Sequence, residues 1–371
     1  MIYLDNGATS LCKPPTVAAA VACALENCAN PGRGGYSASM SAARTALRCR
    51  ETAARLFDCT PEQVVFTGNC TQGLNMAIRT LVKPGDRVVV SGFEHNAVIR
   101  PLHALKADIQ VAGRKLFCPE DTLNRFEDAL RQGADAAVFT HCSNVFGYIL
   151  PVAEMAALCR QYRVPFIIDA AQSAGCLPVH LRALGADFIA APGHKGLLGP
   201  MGTGILLCGQ LPEPLCYGGT GSISHSRQMP DFLPDRAEAG TLNVPGIAGL
   251  QAGLAWLERR GLDRVFRTEC RQAKRCAIGL EKLGFHVFSG ESQGGTISFV
   301  GKSDPEEIAA YLSKRGIAVR AGLHCAPLAH ESAGTIPAGT VRVSFGHDAS
   351  EVQTSALLEA LETMGKHPES Y

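Results

Sequence analysis

Short apolar runs that break off at polar or glycine residues alternate with helical patterns through the first two thirds of the chain, and this alternation constrains the fold more than any other feature. The runs lie at residues 64–67, 86–91, 136–141, 165–169 and 188–191, with helical spacing at 42–56, 72–81 and 152–162. Strands that are apolar throughout, with helices between them, predict an α/β fold whose mostly parallel sheet is covered on both faces. In such sheets functional side chains gather at the carboxyl ends of the strands. Beyond about residue 243 the texture changes. Helices are expected at 247–260, 268–283, 305–315 and 350–364, and strands at 295–300 and 318–320, an α+β second part. No internal repeat or long linker interrupts the chain, and residues 366–371 read as a frayed tail.

Composition narrows the function. The charge is nearly balanced, 35 Lys+Arg against 34 Asp+Glu, which removes the long-range attraction of a nucleic-acid binder. No apolar run approaches the roughly 18–20 residues that span a membrane. The segment MIYLDNGATS lacks the basic and apolar stretches of a secretory signal. The fifteen cysteines are scattered and none is spaced as CxxC, so neither a metal site nor a disulfide scaffold is expected. Reduced thiols that serve mostly as small core residues fit better, and with them a cytoplasmic protein.

The chemistry centres on Lys195, in Ala191-Pro192-Gly193-His194-Lys195-Gly196. It follows a strand and sits in a loop too rich in glycine to be mere connection. That setting suits a Schiff-base lysine, whose amine must be held at one point in a cleft. Asp169 closes the preceding strand; alone it reads equally as a cap for the next helix, but beside a pyridine nitrogen a buried carboxylate would keep that nitrogen protonated. Gln172 lies three residues on. The loop Asn69-Cys70-Thr71-Gln72 joins a strand to a helix, where backbone N–H groups and the helix dipole suit a phosphate, or an ordinary cap. His95 follows the strand at 86–91 and has a ring able to stack on a planar group; by itself it reads as structural. The pairing of Asp169 with Lys195 on consecutive strand ends is the specific signal.

At this point the chain resembles pyridoxal-phosphate enzymes of the class V aminotransferase fold, and within them the cysteine desulfurase and selenocysteine lyase family. The matching stretches run almost end to end: Tyr3-Leu4-Asp5-Asn6 with Ala8-Thr9-Ser10, Asn30-Pro31 before Arg33-Gly34, Val65-Phe66-Thr67, Glu94-His95, and Ser143-Asn144-Val145 with Gly147. They continue in Asp169-Ala170-Ala171-Gln172, Gly193-His194-Lys195, Glu238-Ala239-Gly240-Thr241, Ala318-Val319-Arg320, His324-Cys325-Ala326 and Val341-Arg342-Val343-Ser344.

The resemblance implies a fold type I pyridoxal-phosphate transferase. A large cofactor-binding domain with a mostly parallel seven-stranded sheet would span residues 16–245. A smaller α+β domain would combine residues 1–15 with 246–371 and carry the cysteine loop. By the same resemblance Lys195 is the cofactor lysine, His95 the stacking histidine and Cys325 the nucleophile, the three catalytic positions. Asp169 and Gln172 match the residues on the pyridine nitrogen and phenolic oxygen. Cys70, Thr71 and His194 fall at phosphate positions, and Thr241 at one supplied by the neighbouring subunit of a homodimer. Asn144, Arg320 and Arg342 fall where the amino-acid substrate is held, Arg342 by its carboxylate. Cys325 is expected on an exposed loop, with His324 or Arg320 raising its thiolate population.

The implied activity is conversion of L-cysteine to L-alanine through a Cys325 persulfide, which a sulfur-acceptor protein or small thiol would take. Selenocysteine lyase, another class V reaction such as transamination or β-elimination, and a sulfur-relay or scaffold protein stand as alternatives. The chain departs from the family's pattern at Pro192, Cys70, Gln72, Asn96 and in Ala326-Pro327-Leu328-Ala329-His330.

Overall fold

The computed structural model describes residues 1–32 and 34–366. Arg33 of the matched stretch and residues 367–371 of the expected tail lie outside the described residues, while Lys366 is not tail but the last residue of the helix Glu351–Lys366.

Seven strands form the central sheet, in the order Val64–Thr67, Gly204–Cys208, Phe188–Pro192, Phe166–Asp169, Ala136–Thr140, Arg87–Ser91 and Asp108–Ala112. All run parallel except Gly204–Cys208, which is antiparallel to both neighbours. Alternate residues of each strand serve opposite faces. Phe66, Val89, Phe139, Ile168 and Ile189 enter one apolar cluster. Val65, Val88, Val138, Ile167 and Ala190 enter the other. Both faces are thus filled, which is why these strands carry no polar side. A single methylene matters in such a layer. Ile189, 1% exposed, is expected to lose about 0.5–1.5 kcal/mol on replacement by valine, read by urea unfolding.

Two strands of this sheet differ from the expected pattern. Asp108–Ala112 is an edge strand, so its Asp and Gln are tolerated and no continuous apolar run marks it. Gly204–Cys208 returns antiparallel with no helix before it, outside the strand–helix alternation.

A second, antiparallel sheet orders Arg320–Gly322, Thr340–Ser344, Thr296–Val300 and His286–Phe288. The helices Leu262–Lys282, Pro305–Lys314 and Glu351–Lys366 pack on it through a third cluster that includes Leu280, Ile308, Leu312 and Leu361. The single strand expected at 318–320 is two. Ile317–Ala318 pairs in parallel with Ile2–Tyr3, and Arg320–Gly322 joins the four-stranded sheet. Two different partners split it at Val319. The helix Val244–Arg260 belongs to the larger core instead, since Ile247, Leu250, Leu254 and Leu257 sit in the cluster with Ile189. Gly261, at φ 81°, turns the chain directly into the next helix.

Candidate active site

The parallel strands deliver their carboxyl ends to one edge of the sheet, and the loops leaving them enclose a cavity of about 200 Å³. Cys70, Thr71, His95, Asn144, Asp169, Gln172, His194 and Lys195 all line it. Residues from five separate loops meet there.

Asp169 is 3% exposed at the end of Phe166–Asp169. Its Oδ1 accepts the Ala171 N–H at 2.9 Å and the Cys70 thiol at 3.6 Å, while Oδ2 has no donor among the described residues. One carboxylate oxygen is anchored and the other is left for a ligand. Burial pushes the Asp169 carboxyl up, and the Ala171 N–H and Lys195 hold it back. The Lys195 ammonium makes no hydrogen bond or ion pair among the described residues. Burial pulls its ammonium below the usual range, aided by Arg342 and opposed by Asp169. An amine so placed is more readily neutral and nucleophilic.

The Lys195 loop is held from the far end of the chain. The Ser10 N–H and hydroxyl each donate to the His194 carbonyl at 3.0 Å, and the Thr9 hydroxyl donates to it at 3.1 Å. The ring Nδ1 of His194 also meets the Thr9 hydroxyl at 3.0 Å. Close backbone packing completes the support. Gly175, at φ 101°, leaves no room for a Cβ, which would stand 2.2 Å from the Gly196 carbonyl.

The loop at 69–72 joins a strand to a helix as expected, but the helix starts earlier, at Cys70. Asn69 is the cap, its side chain accepting the Gln72 N–H at 2.9 Å. Cys70 and Thr71, the first two helical residues, keep N–H groups without intrahelical acceptors. The Cys70 thiol is turned to Asp169, so only the residue's backbone N–H is left free for an anion. His95 caps its own helix through Nδ1, which accepts the Ala97 N–H at 3.0 Å and so leaves the proton on Nε2. Burial, with Lys195 and Arg320 nearby, brings its pKa down to about 4, so the ring is neutral. Gln172 donates to the Gly7 carbonyl at 2.9 Å.

The other predicted residues stand at the rim or beyond. Arg342 is 1% exposed; it is ion-paired with Asp5 at 2.5 Å and donates to the Asn144 carbonyl at 3.0 Å, leaving Nε without a partner. Arg320 has no ion pair or side-chain hydrogen bond among the described residues, and its charge is felt at His95, Lys195 and Arg342. Thr241 does not join the Lys195 cavity; it is exposed and lines a separate one with Gln72 and Asn243.

Cys325 is exposed, on a loop pinned at two points. The Asn96 N–H donates to the Cys325 carbonyl, and the Asn144 amide donates to the His324 carbonyl, each at 2.8 Å. His324 and Cys325 both hold left-handed backbone, φ 51° and 56°, a conformation that costs energy in residues with a Cβ. His324 cannot supply the positive charge expected of it. Burial drives its pKa to about 2, and its ring faces His330 and the Arg320 carbonyl. The cysteines are also less buried than expected: all fifteen are free thiols, seven are buried, and Cys325 is one of four exposed.

Sequence reasoning gave no role to Asp5, Glu94 or His330. Glu94 ties two strand ends together, accepting from the Ser91 hydroxyl and from the Thr140 N–H. His330 stacks beside His324 and meets the Thr335 hydroxyl at 2.7 Å. Each stands in a matched or departing stretch, and that was the only signal available.

The fold and cleft are those of an α/β protein with a lysine and a carboxylate at adjacent strand ends. The pattern described as aminotransferase class-V matches residues 2–357. A protein of Methanothermobacter thermautotrophicus named a probable cysteine desulfurase is 34% identical, over 97% of this chain and 94% of its own. One of Pyrococcus abyssi with the same name is 32% identical, over 99% and 94%. The solved structure of a cysteine desulfurase from Thermococcus onnurineus has a TM-score of 0.90 and 32% identity, covering 98% of this chain and 94% of that one. The chain therefore belongs to the class V aminotransferase family and, within it, to the cysteine desulfurases. With that membership comes the fold type I architecture of pyridoxal-phosphate enzymes. Among the described residues no helix is long and apolar enough to cross a membrane.

Proposed function

We propose that the protein is a pyridoxal-phosphate-dependent cysteine desulfurase, converting L-cysteine to L-alanine and leaving sulfur as a persulfide on Cys325. One observation carries the reading. Lys195 and Asp169 meet in one cavity, and Asn144 in its wall donates to the loop of an exposed cysteine.

The donor set suits the cofactor. The free oxygen of Asp169 would hold a protonated pyridine nitrogen, and the N–H groups of Cys70 and Thr71, with His194, would hold a phosphate. The neutral ring of His95 would stack, and the second amide hydrogen of Gln172 would meet the phenolic oxygen. When bound, pyridoxal phosphate supplies an aldehyde for amines and a ring that accepts electrons from the α-carbon. Lys195 moves the α-proton. Arg320, whose guanidinium has no partner among the described residues, and Arg342 with Asn144 orient the substrate carboxylate. The Cys325 thiolate attacks the substrate sulfur: an S–S bond forms, the C–S bond breaks, and the carbon keeps the electron pair and gains a proton to become the methyl of alanine. The persulfide then passes to a thiol of an acceptor protein.

Three further readings are ours. The molecule is a homodimer in which Thr241, exposed and away from its own Lys195 cavity, serves the neighbouring site. It works in the cytoplasm, where fifteen free thiols are stable. Its larger part begins at residue 16 and its smaller part joins residues 1–15 to the C-terminal sheet, supported by the pairing of Ile2–Tyr3 with Ile317–Ala318; the boundary expected at 245/246 falls inside the helix Val244–Arg260, which packs in the larger core, so the smaller part resumes at Gly261.

The test is paired turnover of L-cysteine and L-selenocysteine, following alanine together with sulfide or selenide. Equal alanine and sulfide from L-cysteine is the expected result. Turnover of selenocysteine with cysteine inert would move the function to selenium recycling, and pyruvate without alanine would replace it with β-elimination.

A further inference from the structure

Lys195 stands in a partition between two cavities. A second chamber, of about 50 Å³, shares Cys142, Ala171, Gln172 and Lys195 with the cavity described above. That volume holds a few water molecules, and although most of the lining is apolar, Asn6, Ser10, Gln172 and Lys195 in it can give them partners. Glu269, from the helix Leu262–Lys282, also lines this chamber.

The carboxyl group of Glu269 has no hydrogen bond or ion pair among the described residues. Gly295 admits it, for a Cβ there would lie 2.6 Å from the Glu269 Cβ and 3.1 Å from Oε2. The groups around it are the thiols of Cys142, Cys176 and Cys270, the carboxylate of Asp348, the imidazole of His347 and Lys195 itself. His347 is engaged elsewhere, its Nε2 on the Cys12 carbonyl at 3.1 Å. Burial, and then Asp348, push Glu269 up to about 8, so it carries a proton at neutral pH. The side chain is half-buried, and with no protein donor among the described residues its carboxyl is left to bond water in the chamber.

We propose that Glu269 supplies protons to Lys195 through water held in this chamber. The carboxyl O–H breaks, a proton passes along the water, and an N–H forms on the lysine, leaving a carboxylate and an ammonium; the reverse transfer restores both. Desulfuration needs such a source, because the substrate carbon that loses sulfur must gain a proton, and Lys195 must be recharged after giving one up. The role rests on the reading of Lys195 as the proton-moving amine of the proposed reaction. Glu269 would act through Lys195 without touching substrate.

Glu269→Gln tests it. In cofactor-free wild type a protonated-carboxyl infrared band, absent from the variant, should vanish as pH rises through about 8. The linkage has a definite sign. The unfolded chain ionises this group near pH ~4.3 and the folded chain only near 8, so wild type loses stability relative to the variant between those values and no further above them. In the loaded enzyme, exchange of the α-hydrogen of L-alanine in D2O should fall about tenfold in E269Q and lose its inflection near pH 8, with cofactor absorbance unchanged. An E269Q enzyme equal to wild type in rate and profile, or a Glu269 that titrates as an ordinary carboxylate, overturns the proposal. A wild type that exchanges no α-hydrogen overturns the reading of Lys195 and takes this role with it.

Discussion

Replacing Cys325 by alanine is expected to lower the release of alanine and sulfide from L-cysteine by on the order of 10³-fold or more, because no other group takes the sulfur. The loss should be confined to that step. Cys325 is exposed, its thiol makes no hydrogen bond among the described residues, and the contacts that pin its loop use main-chain carbonyls that alanine retains. Alanine also tolerates the backbone at φ 56° no worse than cysteine does. Cofactor absorbance and unfolding midpoint should therefore match wild type. Mass spectrometry after incubation with L-cysteine checks the same point, as a 32 Da adduct is about the mass of one sulfur atom and should appear on wild type only. Alanine and sulfide produced by the variant at the wild-type rate would remove Cys325 from the mechanism.

Arg342→Ala should give the largest loss of stability, about 3–5 kcal/mol, the range for deleting one partner of a buried ion pair. The arginine is 1% exposed and its loss strands Asp5, whose side chain is itself only 19% exposed. It also frees the Asn144 carbonyl. The arm that Asp5 belongs to reaches Lys195. Gly7 donates to the Ser344 hydroxyl at 2.7 Å, and Thr9 and Ser10 clamp the His194 carbonyl. Loosening Asp5 should thus move the Lys195 loop as well as the proposed carboxylate site around Asn144. Urea unfolding measures the first effect. Arg342→Lys, which retains a cation but not the fork that serves Asp5 and Asn144 together, separates the second: its stability should largely recover while KM stays raised. A variant that unfolds with the wild-type midpoint would show that the Asp5 pair carries no stability.

What the sequence made legible is local. The strands at 64–67, 136–140 and 166–169 are apolar because both their faces are covered, and Asp169 and Lys195 stand out because they follow such strands. The cap at Asn69 and the exposed Cys325 loop were readable for the same reason, since neighbouring residues fix both. The rest depends on partners far away in the chain. Arg342 and Asp5 are 337 residues apart, and no spacing rule joins them. The division of 318–320 between two sheets is decided by strands at opposite ends of the sequence. Glu269 sits on a regular amphipathic helix, where only the chamber beyond Gly295 distinguishes it from a solvated glutamate. His324 reads in the sequence as a cation for the thiol, and only its burial, which depends on distant residues, denies it that charge.

The arm of residues 2–10 has a consequence for how the molecule is made. On the ribosome it emerges hundreds of residues before Ile317 and Ser344, the partners it needs, and the large sheet can form in the meantime. Until those partners arrive, the arm can be held only by the three donors that Thr9 and Ser10 give to the His194 carbonyl. The large core can thus form before the arm at its start is fastened at both ends.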